Sequence, residues 1–141
     1  MGDRVTVLKI SPQAMEEMAA HCRQEYPNEA CGYLGGGEGR ITDAFPIRND
    51  AESPTWYEMN PADQLKAQKQ IRQEGLEHLA VYHSHVATEA YPSRRDIERA
   101  TAVQDFFDGF YLLVTLKDAA PSARAFRIRD GHVSEEELIE S

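Results

Sequence analysis

The sequence predicts a mixed α/β fold, with one curved and mostly antiparallel mixed sheet flanked by helices. Three observations carry that prediction. Two helix starts are written alike, Ser11-Pro12 and Asn60-Pro61, each a capping side chain followed by proline at the first helical position. Short apolar or alternating runs, among them residues 5–10, 110–116 and 123–129, read as strands. Too few strand-helix-strand units occur for a doubly wound parallel sheet, so neighbouring strands pair mostly antiparallel.

The 141 residues fit one domain, taken as 1–141, long enough to bury about 70% of the unfolded surface. The formal net charge of -9 argues against nucleic acid as a partner, because phosphate binding needs basic patches. No apolar run approaches the ~20 residues of a membrane span. The start Met1-Gly2-Asp3-Arg4 has no signal-peptide character, so no membrane association and a cytoplasmic setting are expected. Cys22 and Cys31 form no Cys-x-x-Cys pair, which weighs against a cysteine-bound zinc and fits a reducing compartment.

In chain order, residues 5–10 form the first strand. Met15, Met18, Ala19 and Cys22 then recur at helical spacing, giving a helix with one buried stripe that ends near Tyr26. Pro27-Asn28 breaks it. Residues 30–34 and 40–46 form a hairpin about a glycine-rich turn at 35–39. That turn lacks the Lys-Ser/Thr and the following helix of a phosphate loop. Residues 49–54 are turn-rich and 55–59 form a short aromatic strand. Asn60 caps a second helix to about Glu74, on which Lys66, Lys69 and Arg72 read as a solvated face. Residues 79–85 form a strand and 86–92 a loop. Ser93 caps a third helix through about Phe107, with Ile97, Ala100 and Thr101 facing inward. After the strands at 110–116 and 123–129, an Asp130-Gly131 turn leads to a short acidic end expected to fray.

The chemistry concentrates in Leu79 to Asp96, LAVYHSHVATEAYPSRRD. The two-residue period of a strand puts Leu79, Val81, His83 and His85 on one face. A carboxylate at Asp96 supplies a third ligand. Two neutral imidazoles and one carboxylate are a set that leaves catalytic zinc a fourth position for water. Each piece also has an ordinary use. Buried histidines hydrogen-bond, and Ser93-x-x-Asp96 is a helix-capping pattern, although capping and ligation are compatible. A zincin His-Glu-x-x-His, a deaminase Cys-x-x-Cys and a Gly-x-Ser-x-Gly elbow are all absent.

Taken together, His-Ser-His, seven residues, then Ser-x-x-Asp, with Glu29 upstream of a Cys-Gly strand, resembles the JAMM (MPN-plus) metalloprotease family. The resemblance spans nearly the whole chain through PNEACGYLGG, SPTWYEMNP and YHSHVATEAYPSRRD. Among subgroups it is most similar to the bacterial sulfur-carrier peptidases of the CysO-cysteine type. Val86 departs from the proline that many members carry after the second histidine, which bears on loop shape because the position is not a ligand.

The resemblance implies a single JAMM/MPN domain of cytidine-deaminase-like architecture and one zinc ion on His83, His85 and Asp96. It implies Glu29 as general base and Ser93 as a hydroxyl donor beside the reacting carbonyl. The implied reaction is hydrolysis of the amide at the C-terminal glycine of a ubiquitin-like sulfur carrier ending in Gly-Gly, releasing cysteine for biosynthesis. Two rivals stand beside it: a processing peptidase or isopeptidase for other ubiquitin-like or carrier precursors, and a non-catalytic scaffold that docks such proteins. A Gly-Gly tail is narrow and can add to a sheet edge. Trp56, Tyr57 and Tyr91 either wall that groove or are ordinary aromatics. Cys31, two residues past Glu29, either lines the site or is a small core residue. Ser84, between the histidines, faces the opposite side of the strand and reads as packing.

Overall fold

A computed structural model describes residues 7–141. The polar start of the chain and the first two residues of the predicted strand at 5–10 lie outside the described residues. Among these, three helices and seven strands occur: β1 (Val7–Ile10), α1 (Pro12–Glu25), β2 (Cys31–Gly37), β3 (Arg40–Ile47), α2 (Pro61–Gln73), β4 (Glu77–His85), α3 (Arg94–Ala102), β5 (Phe110–Thr115), β6 (Ser122–Arg129) and β7 (His132–Glu140). The expected caps form. Ser11 Oγ accepts the Ala14 N–H at 3.0 Å, and Asn60 Oδ1 accepts that of Asp63 at 2.9 Å. Each satisfies one of the donors a helix start leaves unpaired.

The strands run in the order β1-β3-β2-β4-β5-β6-β7, and β7 returns to β1, so the sheet closes on itself. Four of the seven ladders are antiparallel, which makes the sheet mixed and mostly antiparallel. Closure comes from the acidic C-terminal segment, which does not fray. Asp130 and Gly131, at φ 52° and 77°, make the two-residue turn that folds β7 onto β6. The other edge of β7 pairs in parallel with β1. Glu135 and Glu137 lie on its solvent side, Glu136 on the opposite face is buried, and Glu135 receives Arg124 at 2.6 Å. Among the described residues, no helix is long and apolar enough to cross a membrane.

Alternation along the strands separates two apolar clusters. Leu8, Ile10, Leu34, Tyr82 and Leu112 pack with Met18 and Cys22 of α1. Tyr33, Phe45, Val81 and Tyr111 pack with Ile71 of α2 and Ala100 of α3. Each fully buried large side chain contributes about 1.5–3 kcal/mol of transfer free energy, so these clusters fix the helices against the sheet.

Four predicted features come out differently, each for a local reason. The glycine run is mostly strand: β2 continues to Gly37, and Glu38 and Gly39 alone turn the chain, both at positive φ. Gly36 is required there because a Cβ would stand 1.9 Å from the Arg40 carbonyl oxygen. Residues 55–59 form a loop with one isolated bridge between Asn49 and Met59. The buried Asn49 amide does a neighbouring strand's work, donating to the Glu29 and Trp56 carbonyls and accepting from the Ala51 and Glu58 N–H groups. α3 ends at Ala102, where the chain bends so that Phe107 packs against His78 and Tyr111. Finally, the pairing of β2 with β4 shifts register at Leu34 and Gly35, a bulge that moves Leu79 onto the α1 side. His78 takes its place, between the rings of Tyr33 and Phe107.

Two predictions follow from these contacts. Gly36→Ala should lower the unfolding free energy by about 1–3 kcal/mol in a denaturant titration, since backbone must move to admit the methyl group. Burial pushes the His78 imidazole down to about 4, below its ordinary value. The unfolded chain therefore binds a proton that the folded chain refuses, and stability is lost as pH falls from about 6.5 towards 4. Melting temperatures across that window should fall less for His78→Phe than for the native protein; equal falls would exclude His78 as the source.

Candidate metal centre

β4 and the start of α3 build the centre between them. In β4, alternation turns His83 and His85 to the α3 side and Ser84 to the other. Ser84 does more than pack. Its Oγ accepts the Ala30 N–H at 2.8 Å and its N–H donates to the Ala30 carbonyl at 3.0 Å. The residue after Glu29 is thereby clamped to the strand between the two histidines.

Ser93 caps α3 by accepting the Asp96 N–H at 3.1 Å, while Asp96 Oδ2 accepts the Ser93 N–H at 2.9 Å. This reciprocal pair fixes the Asp96 carboxylate. The same Oδ2 lies 3.2 Å from His83 Nε2 and 3.1 Å from His85 Nε2, and the two nitrogens are 3.3 Å apart. All three residues are buried. A tetrahedron whose corners lie ~2.0 Å from its centre has edges of ~3.3 Å, so the triangle has the dimensions of a first-row metal face.

The donor chemistry gives the same answer. His85 Nδ1 sits 2.9 Å from the Glu89 carbonyl oxygen, which can only accept, so Nδ1 carries the proton. In neutral His85 the lone pair then lies on Nε2, facing a carboxylate oxygen. Two acceptors at that distance repel unless a cation joins them. The residues fit a metal ion.

The charges around the triangle are unequal. Burial raises the Asp96 carboxyl, but the facing His83 and His85 rings and the Ser93 N–H together outweigh it and hold Asp96 well below the usual carboxylate range. Burial lowers His83, favouring the neutral ring. It also acts against charge on His85, where the contacts with Asp96 and the Glu89 carbonyl and the charges of Asp96 and Glu29 together outweigh it and the net shift is upward. Glu29 is buried at the entry to β2, its N–H bonded to the Ser53 carbonyl and its carbonyl held by Asn49. It stands outside the three-residue cluster but feels the charges of His85, Asp96, Arg99 and Arg95. Burial pushes its carboxyl up to about 7, near where a proton acceptor works best at neutral pH.

The candidate groove residues separate. Tyr57 is buried, its ring 4.6 Å from that of His83, so it backs that imidazole. Trp56 is half-buried, with the guanidinium carbons of Arg95 and Arg99 at 3.6 and 3.7 Å from its ring centre. Tyr91 is exposed and meets Phe126 edge-on at 5.4 Å. Cys31 does not line the site. It is fully buried opposite His83, its thiol donates to the Ile47 carbonyl at 3.4 Å, and burial pushes it up to about 12. A cleft of about 410 Å³ between α2 and α3 is lined by Tyr33, Gln64, His78 and Phe107, with Tyr57 and Arg99 on its centre-facing side and none of the three cluster residues. The sequence reading missed Asn49, Arg95 and Arg99. The tandem arginines before Asp96 were the available signal for Arg95.

Residues 11–129 match the family model described as prokaryotic homologs of the JAB domain. The chain belongs to this family. The resemblance read from the histidine and aspartate spacing therefore holds. A JAB relative, the CysO-cysteine peptidase of Mycobacterium tuberculosis, is 41% identical over 135 residues, covering 94% of this chain and 90% of that protein. The probable TtuB-protein conjugate cleaving protease of Thermus thermophilus is 41% identical over 95 residues, 67% of this chain and 64% of that protein. The solution structure of a Desulfitobacterium hafniense protein superposes with a TM-score of 0.82 at 37% identity, covering 95% of this chain and 92% of that one. The chain is accordingly a hydrolase of the JAB family with a site fit for a metal ion.

Replacing Asp96 with alanine should remove the metal, read as loss of stoichiometric divalent cation by elemental analysis of the purified protein. Undiminished metal content would reject this ligand set.

Proposed function

We propose that this protein is a zinc peptidase that hydrolyses the amide at the C-terminal glycine of a ubiquitin-like sulfur carrier and releases a single amino acid, cysteine. One observation carries the reading: three donor atoms meet at 3.1–3.3 Å beside a buried carboxylate poised near neutrality. Its closeness along nearly the full length to a protein named CysO-cysteine peptidase supports the substrate.

Zinc on His83, His85 and Asp96 would acidify a water and polarise the scissile carbonyl. The chain's own groups do the rest. Glu29 takes a proton as the carbonyl carbon is attacked and returns it to the departing amine. The Ser93 Oγ accepts from Asp96 and keeps its own proton, which the exposed side chain is free to donate to a carbonyl oxygen gaining charge. Tyr57 and the Ser93 cap hold His83 and Asp96 still, so little reorganisation accompanies the reaction.

A second reading has its own support. The Thermus relative is named for cleaving protein conjugates, so an isopeptidase acting on a lysine-linked carrier is the alternative. Mass spectrometry of a carrier–cysteine conjugate and a carrier–lysine isopeptide, each with and without a chelator, separates the two. The proposal expects loss of the cysteine mass, abolished by chelation; cleavage of the isopeptide alone overturns it. Glu29→Ala should keep its metal while turnover falls by about 10²–10⁴-fold, the usual scale of acid–base catalysis. Retained turnover would remove Glu29 from the mechanism.

A further inference from the structure

We propose that Arg95 is a specificity-determining residue, whose guanidinium binds the free α-carboxylate of the amino acid on the leaving side of the scissile amide. The proposal rests on the peptidase reading above and narrows its substrate to conjugates with a carboxylate one residue beyond the cleaved bond.

The geometry is a layered stack beside the centre. Arg95 and Arg99 lie one turn apart on α3, and both guanidinium carbons are within 3.7 Å of the Trp56 ring centre. Two planar groups so close to one centroid would overlap on a single face, so they occupy opposite faces of the indole. Arg99 continues the stack over the Tyr57 ring at 4.1 Å, and Tyr57 covers His83. Two like charges one helical turn apart repel. Cation–π contact on each side of the indole, about 0.5–2 kcal/mol apiece, offsets that cost and holds both guanidinium planes in place.

The two arginines are not equivalent. Arg99 is engaged, donating to the Tyr57 carbonyl at 2.6 Å. Arg95 is exposed, and among the described residues it has no ion pair and no hydrogen bond beyond its contact with Trp56. Its neighbour Arg94 is different, pairing with Glu98 at 3.6 Å on the solvent side. Arg95 is thus a cation already fixed by stacking, with its N–H edges uncommitted. A fork held in this way loses little rotamer freedom when it binds a carboxylate.

Position ties this cation to the reaction. Arg95 immediately precedes Asp96 in the first turn of α3, and its charge and that of Arg99 both reach the Glu29 carboxylate. In a chain of net charge -9, these two arginines stand on the helix that carries Asp96. The substrates differ at that place. A single amino acid joined through its α-amine carries a carboxylate two bonds from the leaving nitrogen. An extended precursor has a neutral amide there, and a lysine isopeptide has only methylenes.

A charge-assisted hydrogen bond contributes about 1.5–3 kcal/mol, which converts to roughly 10–150-fold in kcat/KM. The test compares a carrier–cysteine conjugate with the matching carrier–cysteinamide, using metal-loaded protein. Native protein should prefer the acid at least tenfold, Arg95→Gln should bring the ratio near one, Arg95→Lys should restore part of it, and Arg94→Gln should leave it as in the native protein. Inhibition by free cysteine against cysteinamide reads the same contact without turnover and should lose its preference in Arg95→Gln. Equal cleavage of acid and amide by the native protein, or an unchanged ratio in Arg95→Gln, overturns the role of Arg95 while leaving the peptidase intact. Cleavage of neither conjugate by metal-loaded native protein defeats the peptidase reading itself, and this inference with it.

Discussion

A single carboxylate oxygen joins the fold to the chemistry. Asp96 Oδ2 closes the first turn of α3 by accepting the Ser93 N–H, and it faces both histidines of β4. A free aspartate would rotate away from the His85 lone pair. Here the helix start holds it in place, and the buried donor set fits a cation. Rigid secondary structure on both sides, a strand end and a helix start, is what makes such a site geometrically reproducible.

The sheet serves that junction. β4 lies between β2 and β5, so its end is fixed from both edges. Ser84 uses the strand's back face to bind Ala30, which sets Glu29 relative to the histidines while Glu29 stays outside the His83, His85 and Asp96 cluster. Asn49 completes the arrangement from a third direction. Its one amide serves both the Glu29 carbonyl and the loop that carries Trp56 and Tyr57. Glu29, the Tyr57 ring beside His83 and the arginine-flanked indole are therefore held by a few buried hydrogen bonds, each costly to leave unmade.

Electrostatics divides the labour among the carboxylates. Asp96 is held ionised by the two facing imidazoles and the Ser93 N–H, which together outweigh its burial, whereas Glu29, with burial as its dominant influence, is held near the point where it can both take and give a proton. The two acids differ because one has directed donors and the other does not. The positive side chains nearby, Arg95 and Arg99, belong to the same helix that supplies Asp96.

The helix starts, most strands and the ligand candidates were legible in the sequence because they depend on short-range rules: a cap and a proline, a two-residue period, a motif of fixed spacing. Position along the chain was enough to name His83, His85 and Asp96, since strand alternation and a capping pattern are local. Tertiary structure decided what depends on partners far away in sequence. The acidic tail became a strand because β1 and β6 offered it two edges, Leu79 changed sides because β2 forced a bulge, and residues 55–59 stayed a loop because Asn49 met their backbone groups. The same holds for the site's surroundings: Cys31 went to the core and Trp56 between two arginines because packing against distant elements, which no local pattern encodes, sets where each side chain finishes.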